Sequence, residues 1–221
     1  MSRPLLLDLF CCAGGAAKGY HDAGFEVIGV DCKHQKNYPY EFHQGDALEF
    51  LGKYGKDFDA VHASPPCQDH MKVGQHPKHG TAWLLPATRD LLRTIELPWV
   101  IENVVGAPMD AHFVLCGCQF GLDVRRIRLF ETNWAEFQLM PCCEHLTPVL
   151  LSVVGLGTPT AILRRWQRDF GRNPTISDYQ KAMGIDWMTR AELSQAIPPA
   201  YAEWIGKHLM EVVNESRKVR V

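Results

Sequence analysis

The sequence predicts an α/β fold, and three observations carry that reading. An opening strand, small-residue turn, helix and second strand end on an acid. Two later apolar runs each lead directly into polar or reactive side chains, and a stretch of helical spacing separates those runs.

Residues 5–10 form an apolar run broken only by Asp8. Small residues and glycines follow, and then residues 16–23 coil as a helix ending at Gly24. Residues 26–31 are the next strand, which makes a right-handed βαβ unit whose ligand belongs at the strands' carboxyl ends. Gly45-Asp46-Ala47 is expected to follow a third strand. Residues 58–64 and 98–102 read as further buried strands, with a helix across 81–96 between them and Pro86 in its first turn. Residues 126–132 are extended again. From 133 to 187, prolines at 141, 148, 159 and 174 and glycines at 155, 157 and 171 predict a small irregular subdomain. Thr189-Arg190-Ala191-Glu192 is a capping box, Pro198-Pro199 starts a helix over 200–213, and the basic tail 217–220 is expected to fray. The division is a catalytic, cofactor-binding part at 1–132, a subdomain at 133–187, and helices at 188–221 that complete the first part.

With 221 residues and 46% hydrophobic composition, the chain buries one full core with a small appendage. No stretch is long and apolar enough to cross a bilayer, so a soluble cytoplasmic protein is expected. Eight cysteines, unevenly placed, read as reduced thiols. Cys116-x-Cys118 and Cys142-Cys143-x-His145 together offer four zinc ligands; their spacing is narrower than usual hooks, and buried thiols are the other reading. A net charge of −2 restricts nucleic-acid contact to a local basic patch. Arg164, Arg165, Arg168 and Arg172 surround Trp166, either as phosphate contacts with a stacking surface or as a solvated helix face with an apolar stripe.

Pro65-Pro66-Cys67-Gln68 presents a thiol on a stiff loop after a buried strand, a setting for a nucleophile or for an inert filler. The turn 8–15 lets backbone approach a ligand. Asp31 is placed to accept from both hydroxyls of a ribose, and Asp46 suits an adenine amino group. Glu102 ends an apolar strand, where burial raises a carboxyl pKa and makes it a proton donor near neutrality. Arg126 and Arg128 share a strand face, one to hold Glu102 and the other to polarise a carbonyl, or both as structural ion pairs.

In order, Asp8 to Gly15, Asp31, Gly45-Asp46, Pro66-Cys67-Gln68, Glu102-Asn103-Val104, Arg126-x-Arg128 and Ser194-Gln195-Ala196-Ile197-Pro198 resemble the motif series of the DNA cytosine-5 methyltransferases. The resemblance spans most of the chain outside 133–186. It implies a Rossmann-like, S-adenosylmethionine-dependent methyltransferase fold with a small irregular recognition subdomain. It implies catalysis by Cys67, Glu102, Arg126 and Arg128, with Cys67 adding to cytosine C6, Glu102 at N3 and Arg128 at O2. The implied cofactor set is Phe10, Cys12, Gly14, Gly15, Asp31, Cys32, Asp46, Ala47, Pro66, Gln195 and Ala196, with S-adenosylhomocysteine as product. Double-stranded DNA is the implied partner, its target base flipped, with Gln68, Arg164, Arg165 and Arg168 contacting it. The loop 69–80 looks like the part that closes over DNA. A monomer with a companion restriction endonuclease, in a bacterial or virus-infected cell, completes the expectation. An idle DNA-binding relative or partner subunit and an RNA cytosine-5 methyltransferase are the alternatives; the missing dinucleotide fingerprint argues against a nicotinamide oxidoreductase. Three positions depart from the family pattern: Cys12 stands where glycine is usual, Val124 where glutamine is, and Ser194-Gln195 where Gly-Asn is. The last bears on the cofactor's methionine portion.

Overall fold

The computed structural model describes residues 2–66, 80–134, 143, 151–153 and 159–219. Its strands are β1 (Leu5–Leu9), β2 (Glu26–Asp31), β3 (Glu41–Gln44), β4 (Ala60–Ala63), β5 (Trp99–Val104), β6 (Phe113–Leu115) and β7 (Arg128–Thr132). Its helices are α1 (Gly15–Asp22), α2 (Ala47–Tyr54), α3 (Leu84–Leu92), α4 (Thr160–Phe170), α5 (Ile176–Met183), α6 (Arg190–Gln195) and α7 (Pro199–Val219). Among the described residues the strands form one sheet in the order β3-β2-β1-β4-β5-β7-β6. The five strands from β3 to β5 are parallel, and β7 and β6 close that side by antiparallel pairing.

The strands are apolar on both faces because helices cover both faces. Leu6, Val27 and Val100 point to the layer of α1 and α7, where they meet Tyr20, Phe25, Tyr201 and Ile205. Leu7, Leu9, Val61 and Ile101 point the other way, to Leu51, Leu85 and Leu92 of α2 and α3. Register then brings the strand ends to one edge: Leu9 pairs with Val30 and with Ala63, and Ala63 pairs with Ile101. The expected ligand edge of the βαβ unit is thus the rim made by residues 10–15, 64–66 and the end of β5.

Within the expected subdomain at 133–187, the punctuation that falls on described residues marks helix ends, while residues 135–142, 144–150 and 154–158 lie outside the described residues. Pro159 precedes α4 and Pro174 lies just ahead of Thr175, the capping residue of α5. Gly171 and Gly184 end the same two helices in the left-handed conformation at φ 68°. Tyr179 and Met183, before the 187/188 boundary, share one core with Met188 and Leu193 beyond it and with Ala13 and Val124. The tail is also tighter than expected. Arg217 stays in α7 and donates 2.9 and 2.6 Å hydrogen bonds to both oxygens of Asp59, whose Oδ2 also accepts from Leu5 N at 2.8 Å. No helix among the described residues is long and apolar enough to cross a membrane.

The α1–α7 contact depends on the missing side chain of Gly19. A Cβ there meets Pro199 O at 2.2 Å and Glu203 N at 2.6 Å, both backbone atoms that cannot swing away. Gly52 in α2 has nothing within 4 Å of its Cβ position. Gly19→Ala is expected to lose about 1–3 kcal/mol by overpacking. Gly52→Ala is expected to gain about 0.5–1 kcal/mol from helix propensity. Urea midpoints of the two variants check both signs.

Candidate active site

A cavity of about 390 Å³ opens at the carboxyl rim of the sheet. Its walls come from the first turn (Phe10, Cys11, Cys12, Gly15), the loop after β4 (Ser64, Pro65, Pro66), Glu102 and Val104 of β5, residues 124–128, Val153 and residues 194–197.

The first turn is held in an unusual backbone shape. Phe10 and Cys12 have φ of 57° and 45°, and Gly14 has φ of 83°. A non-glycine residue there costs roughly 1–2 kcal/mol, so surrounding bonds must hold it. They are present: Asp31 Oδ2 accepts from Cys12 N at 3.1 Å, and Trp187 Nε1 donates to Ala13 O at 2.9 Å. Gly15 lets Ile197 close on the turn, since a Cβ would lie 2.3 Å from Ile197 O. Cys12 Sγ faces Gln195 Oε1 at 3.7 Å, so two positions that depart from the methyltransferase pattern touch each other.

Glu102 is buried, with its carboxyl facing the cavity. Burial raises its pKa, opposed by the charges of Arg128 and Arg126 and by a hydrogen bond from Ser64. Arg128 Nε lies 2.8 Å from Oε1, an ion pair by separation. That oxygen is buried and has no well-aligned hydrogen bond among the described residues, so the Arg128 charge is what balances it. Behind Glu102 runs a chain of buried polar groups. Ser64 Oγ lies 2.8 Å from His62 Nε2, and His62 Nδ1 lies 3.0 Å from the Tyr20 hydroxyl. Burial depresses the His62 pKa to about 3, so the ring is neutral. With Ser64 donating to Glu102, Nε2–H must donate to Ser64 and Tyr20 must donate to Nδ1, a single direction of donation ending on the carboxyl.

The two arginines do different work. Arg126 is buried and donates to three backbone carbonyls: Ala196 O at 2.7 Å, Val153 O at 2.6 Å and Ser194 O at 2.7 Å. Arg128 reaches Glu102 as an ion pair. Asp8, at the cavity floor, is a further buried carboxyl, and its oxygens have no hydrogen bond of normal geometry among the described residues. Burial first and the Asp31 charge second raise its pKa, with the nearby Tyr38 hydroxyl opposing them.

Of the sequence-selected residues, Phe10, Cys12, Gly15, Pro66, Glu102, Arg126, Arg128, Gln195 and Ala196 line this one cavity. Gly14, Asp31, Cys32, Asp46 and Ala47 sit behind or beside it. Asp31 organises the turn, and Asp46 caps α2, accepting from Leu48 N at 2.8 Å and Glu49 N at 2.9 Å. Cys67 and Gln68 lie outside the described residues, as do Cys142, His145 and loop residues 69–79. Arg164 and Arg168 are exposed on α4, and Arg165 and Arg168 both pair with Asp169, at 3.5 and 2.9 Å. Trp166 is buried and stacks on Phe170 with centroids 4.3 Å apart, so the reading of its indole as an open stacking surface is corrected. Sequence reasoning missed Ser64, His62 and Tyr20. The signal was a histidine set inside the apolar strand Ala60–Ala63, where it must find buried partners.

This Rossmann-like sheet, with β7 inserted antiparallel between β5 and β6, has the fold of methyltransferase structures. A DNA modification methyltransferase described from an Escherichia coli prophage superposes with a TM-score of 0.67 at 14% identity, covering 96% of this chain and 99% of that one. No protein-family model matches the chain. Type II methyltransferase M.XorII of Xanthomonas oryzae pv. oryzae is 31% identical over 130 residues, 51% of this chain and 31% of the relative. Type II methyltransferase M.HgiGI of Herpetosiphon aurantiacus is 30% identical over 119 residues, 47% of this chain and 93% of the relative. The chain belongs to the type II methyltransferases, and its match spans about a third of the length of M.XorII.

The depressed His62 pKa has a pH signature. The unfolded ring binds a proton near 6.5 and the folded ring near 3, so its contribution is complete above pH 6.5 and is lost as pH falls toward 3. His62→Gln removes that proton linkage. Urea midpoints between pH 7.5 and 4 are expected to fall more steeply in the parent chain than in the variant.

Proposed function

We propose that this protein is an S-adenosylmethionine-dependent DNA cytosine-5 methyltransferase acting on a flipped base. The observation that carries the reading is convergence: Pro66, the neighbour of Cys67, lines the same cavity as Glu102, Arg128 and the strained first turn. Asn103 Nδ2 donates to Pro65 O at 3.0 Å, tying the approach to Cys67 onto the strand that carries Glu102.

The residues fit the cofactor. Backbone at 10–15 leaves room for it, and the buried Asp8 carboxyl, which lines the cavity and has no well-aligned hydrogen bond among the described residues, offers a polar group for a bound ammonium or N–H group. Phe10, Cys12, Gly15, Gln195 and Ala196 would contact it, with Asp31 and Asp46 toward its nucleoside end. When bound, S-adenosylmethionine supplies an electrophilic methyl group on a sulfonium.

The chain's own residues activate the pyrimidine. The Cys67 thiolate adds to C6, breaking the C5=C6 double bond and moving its electron pair toward C5. Glu102 hydrogen-bonds or protonates N3, and Arg128 balances charge at O2. After methylation, loss of the C5 proton restores the double bond and expels the thiolate. Arg126 acts as a positioning residue, because its three described donors are committed to carbonyls. The chain holds little recognition structure, so a short DNA target follows, with Arg164, Arg165 and Arg168 toward its phosphates. A companion endonuclease of the same specificity fits the type II family.

Expression in a methylation-free host followed by base-resolution mapping is expected to show 5-methylcytosine in one short sequence context. Cys67→Ala is expected to lower methyl incorporation by about 10³-fold or more, and DNA carrying 5-fluorocytosine is expected to trap a covalent complex with the parent chain only. Label appearing in RNA hairpins and not in matched DNA reassigns the substrate, and absence of any adduct overturns the covalent reading.

A further inference from the structure

We propose that Cys116, Cys118 and Cys143 bind a zinc ion that fastens the chain at Cys143 to the edge of the sheet. This site lies outside the cavity lining and does not depend on the reaction assigned above. The three sulfurs come from two separate stretches of sequence, yet all lie within 4.8 Å of one another. The Cys118 and Cys143 sulfurs are 3.1 Å apart, and neither belongs to a disulfide. Zinc held by thiolates at about 2.3 Å in a tetrahedron separates its sulfurs by about 3.8 Å, so a small contraction or expansion of this cluster closes it on an ion.

The hook that presents two of the donors is built for the purpose. Cys116 directly follows β6, and Gly117–Phe120 form a single tight turn. The turn is closed by Cys116 N donating to Gln119 Oε1 at 2.6 Å and ends at Gly121 with φ of 67°. Between the cysteines, Gly117 is required, because a Cβ there lies 2.1 Å from Val124 O. A one-residue spacer therefore brings both thiols to one side where the usual hook needs two.

Convergence alone separates zinc from a set of idle thiols. Cys116 is buried, Cys118 partly exposed and Cys143 exposed, so no apolar cover explains why the third sulfur is drawn to the other two. Thiols are weak hydrogen-bond partners and give little for such ordering. A borderline-soft cation gives a great deal, and zinc is redox-inert and suited to sulfur donors. The described donors fill three corners of a tetrahedron and leave one for a further ligand. The hook also touches the active-site wall: Phe120 packs on Tyr201 with centroids 5.1 Å apart, and the Tyr201 hydroxyl donates to Arg126 O at 2.8 Å.

Native mass spectrometry and metal analysis of the full chain, purified without chelator, are expected to give about one zinc per chain. Cobalt exchange is expected to produce sulfur-to-metal charge-transfer absorption in the near ultraviolet. Cys116→Ser and Cys118→Ser are expected to lower occupancy about tenfold or more, while Cys32→Ser keeps the metal. A folded parent chain that retains no zinc after incubation with excess metal and desalting overturns the proposal, and so does a peptide map with Cys118 and Cys143 joined as a disulfide in that protein. Both readings use the parent chain and stand even where a variant fails to fold.

Discussion

The Arg126 guanidinium is the point on which the architecture turns. A buried cation without partners is strongly destabilising, and here each of three nitrogens meets a carbonyl: Val153 from the stretch 151–153, Ser194 and Ala196 from the end of α6. Charge-assisted bonds of this kind contribute about 1.5–3 kcal/mol each. They also stop two carbonyls at the C-terminal end of α6, those of Ser194 and Ala196, from being stranded without donors. The same residues, 194–197, then form the cavity wall that Gly15 admits, so the turn at 10–15 and the arginine hold one segment from two sides.

Within that frame the Glu102 carboxyl is placed between opposing influences. Desolvation favours the protonated form of Glu102, while Arg128, Arg126 and Ser64 favour the charged one. Desolvation prevails, and the pKa of Glu102 is raised. The Tyr20–His62–Ser64 chain fixes the direction of every hydrogen behind it, because a neutral imidazole can donate through only one nitrogen. Such a chain is costly to bury and is tolerated because its members are hydrogen-bonded to one another and Arg128 balances the carboxyl.

Much of this was legible before the structure. Continuous apolar runs ended by polar residues placed β1, β2, β4 and β5 to within two residues, since strands buried on both faces carry that signature. Thr189 and Glu192 announced α6 through their reciprocal cap. The helix α2 was not legible, because Asp46 reads equally as a strand-end ligand and as a cap. Strand β6 is three residues long, too short for periodicity to register. Nine of the selected site residues share the cavity because motif order follows strand order at the rim. The division of labour between Arg126 and Arg128 was hidden: the partners of Arg126 lie 27 to 70 positions away in sequence, and spacing says nothing of them. Exposure of Trp166 was equally undetermined, since an indole in an arginine-rich helix serves a core or a ligand with the same neighbours.

Separation along the chain has a consequence during synthesis. The glycine turn at 14–15 leaves the ribosome some 180 residues before the Ser194–Ile197 stretch that lies against it. At roughly 5–20 residues per second this is a delay of about ten to forty seconds. Throughout that interval neither Trp187, which bonds Ala13 in the turn, nor the segment that closes on Gly15 has been made. The wall that residues 194–197 add to the cavity is therefore completed only after translation has passed α6.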